Sequence, residues 1–276
     1  MATERKKYLH VCLTPALIDQ FDLKGAIVVV IDVLRATTSM CVAFSHGAKV
    51  MIPVSEIEEC RTYKDKGFLI AGERKGEQIP DFDFGNSPFS FMNEQVKGAK
   101  IAITTTNGTK AIRMAKERGA RDIVIGAFPN ISLLCKWLIE QNENVCLLCS
   151  GWQDHPNIED TIFAGAVARE LSNHFYYYQD SALMADMLYF IANIRKKYFM
   201  KNSSHYNRLI HLNLQKEVKY CLRWNTHEVL PVLIGEELYD ISKMEGDFYE
   251  IKATIMKEQA QIVAAKAVSG VSPDGN

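Results

Sequence analysis

The sequence predicts an α/β fold in which a buried parallel or mixed sheet lies between layers of helices, with a mainly helical C-terminal third. Over the first 171 residues, seven short apolar runs alternate with segments of helical periodicity, a pattern typical of layered α/β/α folds. Most of these runs are continuously apolar, which is typical of strands buried on both faces. Beyond about residue 175, helical patterns dominate.

The individual elements follow from the same periodicities. The predicted strands are bounded by turn residues and span 8–13, 26–33, 49–54, 68–71, 100–104, 122–127 and 144–149. The helices between them repeat apolar residues at helical spacing over 56–66, 88–96, 109–118, 132–141 and 158–171. The last third predicts helices at 182–200, 205–224 and 250–268, one strand at 229–234 and a polar tail at 269–276.

The composition is that of an ordinary globular protein. Of the 276 residues, 47% are hydrophobic and 24% are charged, which excludes disorder for most of the chain. The formal net charge of −1 does not indicate a nucleic-acid or membrane-surface partner, so we expect a small ligand. We expect one α/β unit over 1–240, which two closely packed lobes (about 1–127 and 128–240) could form, and a C-terminal helix and tail over 241–276.

Neither a membrane span nor a signal peptide is indicated by the sequence. Every apolar run is far shorter than the roughly 18 residues of a spanning helix, and the charged N-terminus lacks an extended apolar region, so we expect a cytoplasmic protein. The seven cysteines are odd in number and several lie in apolar runs, which favours packing roles. Cys146 and Cys149 form a CxxC pair, but the second pair of a zinc ribbon is missing.

The first candidate site lies at the end of the apolar strand 26–33. Asp32 stands inside this strand end, and a carboxylate there needs a partner, a proton or a metal because an unpaired buried charge is costly. Arg35 and Thr37 follow at the start of a helix. Capping explains a threonine at this position, but it does not explain the acid.

The second candidate site follows the strand 100–104, where Thr105, Thr106, Asn107 and Gly108 open a helix. Free backbone N–H groups and the helix dipole make such a terminus a site for anions. An Asn-Gly hairpin turn is the alternative. The residues after it continue with helical periodicity, which favours the anion site.

The third candidate site follows the strand 144–149. Ser150 begins a polar loop, and Glu159 and Asp160 lie in the first turn of the next helix. Acidic residues in a first turn commonly offset the helix dipole. If they converge with Asp32 beside an anion site, however, they form the hard-oxygen environment that Mg²⁺ prefers.

A polar loop between these sites supplies further candidates. Glu73 and Arg74 stand just past the strand 68–71, and the loop then carries Asp83 and Asn86. Arg74 could bind an anionic pair of oxygens in bidentate fashion. Three common phosphate signatures are absent: no arginine lies six residues after a cysteine, the Asp-Phe-Asp string does not follow a buried strand, and no P-loop or dinucleotide glycine motif occurs.

Five strings in order resemble the 2-phosphosulfolactate phosphatase family: IDVLRATTS, GERKGE with DFDFGNSP, TTTNGT, CSG and EDTIFAGA. The resemblance runs from about residue 32 to 171, with a weaker similarity over 220–233. It implies a Mg²⁺-dependent phosphatase that hydrolyses 2-phospho-3-sulfolactate to 3-sulfolactate and phosphate, the reaction type of coenzyme M biosynthesis, and a homodimer is plausible from it. One departure is Asn225, where an acid is expected.

The motif positions suggest a division of roles. As metal ligands we expect Asp32, Glu159 and Asp160, and as general acid Asp83 or Glu73; the attacking group is water, Asp32 or Ser150. The substrate-binding residues would neutralise a strongly anionic substrate; they are Arg35, Thr37, Arg74, Asn86, Thr105, Thr106, Asn107 and Gly108. Two alternatives stay open: a phosphatase for another small phosphorylated hydroxyacid, and a non-catalytic anion-binding protein.

Overall fold

The computed structural model describes residues 7–268, so the predicted polar tail and the first six residues lie outside the described part. Within it, eleven strands form one sheet. In chain order, the strands β1 to β11 are Lys7–Cys12, Ile27–Ile31, Val50–Val54, Leu69–Arg74, Glu77–Gln78, Lys100–Thr104, Asp122–Gly126, Val145–Cys149, Phe175–Tyr177, Pro231–Ile234 and Glu237–Asp240.

Ten α-helices are present in the same residues, with short 3₁₀ helices between them. In chain order, α1 to α10 are Ala36–Ser45, Ile57–Thr62, Gly108–Glu117, Ile131–Gln141, Ile158–Leu171, Asp180–Ile194, Lys196–Asn202, Ser204–His211, Gln215–Cys221 and Phe248–Val268. The predicted α/β class and the helical C-terminal third are therefore confirmed. The strand at 100–104 and the helix at 158–171 have the predicted bounds.

The sheet consists of two parallel blocks that run in opposite directions. Its order is β5-β4-β6-β3-β11-β10-β7-β2-β8-β1-β9. Strands β4, β6 and β3 are parallel to one another, and so are β7, β2, β8, β1 and β9. The antiparallel hairpin β10–β11 lies between the blocks and pairs with both, which reverses the direction. The sheet is thus mixed, and strands from both predicted lobes belong to it.

The core explains why β2 reads as a continuously apolar run. Ile27, Val29 and Ile31 face a cluster that includes α4 and α5, whereas Val28 and Val30 face a second cluster with α1 and α3. All five strand residues are buried, as expected for a strand covered by helices on both faces. Helix α3 packs against β2 and β7 of one block and against β3 of the other.

Several predicted elements need correction. The segment 88–96 is not an α-helix but two 3₁₀ helices, because Asn93 caps a new turn by accepting a hydrogen bond from Gln95 N at 3.0 Å. The predicted helix 182–200 is divided at Arg195, and 205–224 is divided between α8 and α9. Strands β5, β9 and β11 have two to four residues each and were not predicted.

The cysteines have the packing role that the sequence predicts. All seven cysteines are buried and unpaired, and burial raises the pKa of each thiol. These cysteines therefore pack the core and lack the thiolate character of reactive ones. Within residues 7–268, we find no helix with the length and apolar character needed to span a membrane.

Replacing Gly165 with alanine is expected to destabilise the protein by about 3 kcal/mol or more. Helices α5 and α6 cross so closely at Gly165 that an added Cβ would lie 1.9 Å from the carbonyl oxygen of Ala185. The measurement is chemical denaturation, with Glu170→Gly as a control in the same helix. That exposed position should lose only about 1 kcal/mol of helix propensity. Equal losses in the two variants would contradict this close approach.

Candidate active site

A small polar cleft lies where the loops after β2 and β4 meet α3 and α8. It combines two arginines with two carboxylates, a histidine and two amides. The residues that line it are Asp32, Leu34, Arg35, Glu73, Gly76, Asn86, Asn107, Trp152, His205, Arg208 and Leu209. Five of these, namely Asp32, Arg35, Glu73, Asn86 and Asn107, were predicted as site residues from the sequence.

Asp32 is held by a tight turn at the end of β2. Its backbone N–H donates to Thr37 Oγ1 at 3.1 Å, and Thr37 N donates to the carbonyl oxygen of Asp32 at 3.0 Å. Thr37 therefore shapes the turn and does not line the cleft. A Cβ at Gly108 would lie 3.1 Å from Asp32 Oδ2, so only glycine lets α3 begin this close to the carboxylate. The first two predicted sites thus come together.

The pKa of Asp32 is raised to about 6, chiefly by burial. The charge of His205 opposes the shift, whereas Glu73 and Glu159 add to it. The pKa of Asp160 is also raised well above its ordinary value by burial and by the charges of Asp32 and Glu159. Ionisation of Asp32 and Asp160 is therefore unfavourable in the folded protein, and a cation bound beside them would favour it.

Asp160, in the third predicted site, accepts hydrogen bonds from two loops. Its Oδ1 accepts a hydrogen bond from Val33 N at 2.9 Å, and its Oδ2 accepts from Gly151 N at 3.2 Å and from Asn157 Nδ2 at 2.8 Å. Both oxygens thus tie the loop after β2 to the loop after β8. The residue is fully buried and does not line the cleft.

Glu159 fixes a histidine that the sequence analysis missed. Its Oε1 lies 2.6 Å from His205 Nδ1, and its Oε2 accepts from Ser203 Oγ at 3.0 Å. The His205 ring stacks on Trp152 at 5.6 Å between ring centroids. Because Nδ1 is occupied by a buried carboxylate, Nε2 is the ring nitrogen left for chemistry in the cleft.

Arg208 extends the same arrangement by one helical turn. Its guanidinium lies 3.4 Å from the centroid of the Trp152 ring, as in a cation–π contact. Its Nε is buried and has no hydrogen-bond partner among the described residues. A planar, positioned guanidinium with an unused donor is suited to an anionic substrate group.

Arg35 and Glu73 organise the opposite wall. Arg35 is buried, with Nη1 2.6 Å from Glu217 and Nη2 donating to the Gly76 carbonyl oxygen at 2.8 Å. The oxygens of Glu73 accept from Gly76 N at 2.7 Å and from Thr106 N at 2.9 Å. Both oxygens of Glu73 are therefore engaged by backbone N–H groups, and the role of Glu73 as a general acid stays a prediction.

Several predicted site residues support loops instead of lining the cleft. Arg74 donates to Ser55 O and Thr104 Oγ1, and the exposed Asp83 accepts from Ile70 N at 2.8 Å. Thr105 Oγ1 accepts from Thr109 N in the first turn of α3. The predicted residues that do not line the cleft are Thr37, Arg74, Asp83, Thr105, Thr106, Gly108, Ser150, Glu159 and Asp160.

Three polar atoms near these loops have no hydrogen-bond partner among the described residues although they are buried. They are Asn86 Oδ1, Thr106 Oγ1 and Ser150 Oγ. Asn86 lines the cleft, so its free oxygen is available to a ligand there. Buried polar atoms left without a partner are costly, and a ligand or water that binds them removes that cost.

The departure at Asn225 does not affect the cleft. Asn225 adopts a left-handed backbone conformation, with φ of 52°, that asparagine tolerates well. Its Oδ1 accepts from Ser132 N at 3.0 Å in the first turn of α4. The residue therefore caps a helix and does not line the cleft.

A carboxylate cluster for a metal is not assembled as the sequence predicted. Within residues 7–268, no group of three or more His, Cys, Asp or Glu side chains is arranged to hold a metal ion. Asp32 is the one predicted metal ligand that lines the cleft. Mg²⁺ commonly takes one or two protein oxygens and completes its shell with water and phosphate, so Asp32 and Asn86 Oδ1 fit this ion.

The α/β fold and this small charged cleft define an enzyme-like protein with a site for a compact anionic substrate. The chain belongs to the 2-phosphosulpholactate phosphatase family, whose model matches residues 12–236. The resemblance in the five sequence strings is thereby confirmed, and the protein is a phosphoric monoester hydrolase.

The matches to similar proteins cover most of the length of both chains. A probable 2-phosphosulfolactate phosphatase of Thermotoga petrophila is 35% identical over 207 residues, which is 75% of this chain and 88% of that protein. One from Caldanaerobacter subterraneus subsp. tengcongensis is 34% identical over 78% of this chain and 91% of its own. One from Symbiobacterium thermophilum is 36% identical, with 76% and 92% covered.

Proposed function

We propose that this protein hydrolyses the phosphate ester of 2-phospho-3-sulfolactate to 3-sulfolactate and phosphate. The observation that carries the proposal is one small cleft in which Arg35 and Arg208 lie beside Asp32. Phosphoryl transfer depends mainly on positioning and on neutralising negative charge, and this substrate carries a sulfonate and a carboxylate in addition to phosphate. The similar proteins from Thermotoga petrophila and Caldanaerobacter subterraneus subsp. tengcongensis are named probable 2-phosphosulfolactate phosphatases.

Mg²⁺ is part of the proposal, with Asp32 and Asn86 Oδ1 as its protein ligands. When bound, the ion supplies charge neutralisation to the phosphoryl oxygens. Glu159 and Asp160, which we expected as ligands, would act through the residues that they hold: Glu159 orients His205, and Asp160 fixes the loop that follows Asp32. Arg35 and the N-terminus of α3 bind the phosphate, and Arg208 binds the sulfonate.

His205 donates the proton to the leaving alkoxide in this proposal. The position of His205 on the cleft wall and the hydrogen bond of its Nδ1 to the buried Glu159 support this role. The two carboxylates predicted for it are held by backbone N–H groups instead. A cytoplasmic location fits seven unpaired cysteines, and the reaction type is that of coenzyme M biosynthesis.

The proposal is tested by measuring phosphate release from 2-phospho-3-sulfolactate and from 2-phospholactate, with Mg²⁺ and with EDTA. We expect metal-dependent release and a kcat/KM at least about tenfold higher for the sulfonate, because Arg208 gains a partner only there. The control variant is Asp81→Asn, an exposed loop carboxylate. Equal rates would favour another phosphorylated hydroxyacid as substrate, and no release from either would favour an anion-binding protein.

A further inference from the structure

Arg208 is held in the cleft by the face of an aromatic ring. Its guanidinium carbon lies 3.4 Å from the centroid of the Trp152 ring, and both residues line the cleft. Within residues 7–268 its Nε has no hydrogen-bond partner, and two nearby acids, Glu159 and Glu217, are paired with His205 and Arg35. The N–H donors of a guanidinium lie in its plane, so contact with a ring face orients that plane and leaves the donors free.

Arg35, the other arginine of the cleft, is held in a different way. Its Nη1 pairs with Glu217 at 2.6 Å, and its Nη2 donates to the carbonyl oxygen of Gly76 at 2.8 Å. Such partners use donors and offset positive charge, which leaves less of both for an anionic ligand. Trp152 does neither to Arg208, so the charge and the in-plane donors of Arg208 stay available in the cleft.

The loop between β8 and α5 determines where the Trp152 ring lies. Trp152 and His155 exchange two backbone hydrogen bonds, of 2.9 and 3.0 Å, which close a two-residue turn. The central residues Gln153 and Asp154 both have positive φ, 49° and 63°, although neither is glycine. Such conformations persist where the surroundings impose them. Lys110, in the first turn of α3, binds Asp154 at 2.7 Å and fixes the turn beside the cleft.

His205 depends less on Trp152 than Arg208 does. The His205 ring stacks on Trp152, but its Nδ1 is also held by Glu159 at 2.6 Å. Arg208 follows His205 by three residues in α8, so the two side chains lie on one face of that helix. Removing the indole should therefore release Arg208 and leave His205 largely in place.

We propose that Trp152 is a positioning residue that determines specificity: it acts through Arg208 to select substrates that carry a sulfonate beside the phosphate ester. This inference rests on the proposed function, which assigns the sulfonate to Arg208. With its plane fixed by the indole, the guanidinium presents paired N–H groups to the sulfonate oxygens. The substrate 2-phospholactate lacks the sulfonate and gains nothing from this arrangement.

The first test compares kcat and KM for 2-phospho-3-sulfolactate and 2-phospholactate. In Trp152→Leu, we expect the preference for the sulfonate to fall at least about fivefold through a higher KM, while kcat for 2-phospholactate changes less than about threefold. Trp152→Phe keeps a smaller aromatic face and should retain most of the preference. The matched control is Trp224→Leu, a partly exposed tryptophan that does not line the cleft, which should leave the preference unchanged.

The second test measures the binding of 3-sulfolactate by calorimetry, which needs no turnover. Trp152→Leu should weaken this binding at least about fivefold. Arg208→Lys keeps the charge but loses the planar guanidinium, so it should weaken binding at least as much. The double variant should bind no more weakly than Arg208→Lys alone, because Trp152 acts through Arg208. Circular dichroism checks folding, and if Trp152→Leu is unfolded, the same comparison is made with Trp152→Phe.

The outcomes separate this inference from the proposed function. If the wild type hydrolyses neither phosphate ester but its binding of 3-sulfolactate depends on Trp152, the proposed reaction fails and the positioning role stands. If Trp152→Leu keeps both the preference and the affinity of the wild type, the positioning role is overturned and the reaction stands. Additive losses in the double variant, or a wild type that does not bind 3-sulfolactate, would also overturn the positioning role.

Discussion

Asp32→Asn should lower phosphate release by about 10³-fold or more and at the same time make the protein more stable. The activity falls because the variant loses the charge that faces the cleft and the proposed Mg²⁺ ligand. Few substitutions are expected to change activity and stability in opposite directions to this extent. The opposite signs follow from one cause, namely that the protein keeps a carboxylate where ionisation is unfavourable.

The stability gain depends on pH in a defined direction. The folded-state pKa of Asp32 is raised to about 6 from an ordinary value of 3.8, so the folded protein binds this proton more tightly than the unfolded chain. The stability that protonation supplies is complete below about pH 4 and is lost as pH rises through 6. Above that pH without divalent cations, Asp32→Asn should gain about 1–3 kcal/mol, whereas at pH 4 it should gain little.

The measurements are chemical denaturation at pH 4.0 and pH 8.0 in EDTA, about two pH units either side of the midpoint, and phosphate release with Mg²⁺. Asp81→Asn is the control for both, because its exposed carboxylate should affect neither activity nor stability by much. Activity within tenfold of the wild type would contradict the placement of Asp32 at the reaction. A variant less stable than the wild type at pH 8 would contradict the unfavourable ionisation of Asp32 in the folded protein.

The second large effect is expected at His205. His205→Gln should reduce kcat by about 10²–10⁴-fold with a physiological alkyl phosphate, because the leaving alkoxide needs a proton. An aryl phosphate has a leaving group that needs little protonation, so its hydrolysis should fall far less.

Two further variants separate proton donation from structural support. Glu159→Gln keeps a side chain of similar size beside His205 Nδ1 but removes its charge, and it should lower kcat by at least about tenfold. His211→Gln changes an exposed histidine in the same helix and should leave the rate unchanged. If His205→Gln lost alkyl and aryl phosphate hydrolysis equally, the residue would position the site without donating a proton.

The site residues at the ends of strands could be predicted from the local sequence. Asp32, Glu73 and Asn107 each stand within a few residues of a buried apolar run, and a polar side chain there is conspicuous. The contacts that these residues make were not predictable. The sequence predicts Asp83 or Glu73 as general acid, but it does not show that the oxygens of Glu73 accept from two backbone N–H groups, one of which lies 33 residues away in the chain.

The site residues in the helical C-terminal third were harder to predict from the sequence. Periodicity shows which face of α8 is apolar, but it does not show where the helix docks. His205 contacts Glu159, which lies 46 residues away in the chain, and its ring stacks on Trp152 in the loop between β8 and α5. A signal was present in the sequence: Ser203, His205 and Arg208 place three polar side chains within about one and a half turns at the start of a predicted helix.

The opposite direction of the two strand blocks could not be inferred either. Strand β11 has four residues, two of them acidic, so it shows neither an apolar run nor a strong alternation. Its pairing with β3 depends on a contact between Leu238 and Met51, which are far apart in the chain. Both blocks nevertheless contribute to one cleft, because α3 starts in one and packs on the other.

The hairpin β10–β11 also determines when the sheet can be completed during synthesis. All strands of both parallel blocks are made by residue 177, yet the strands that join the blocks emerge from the ribosome only with residues 231–240. Until then, β3 and β7 are open edges with unpaired backbone groups, which is the usual cause of misassembly in a growing chain. Joining the blocks is thus a late, long-range step, and it is expected to limit the folding rate of the whole sheet.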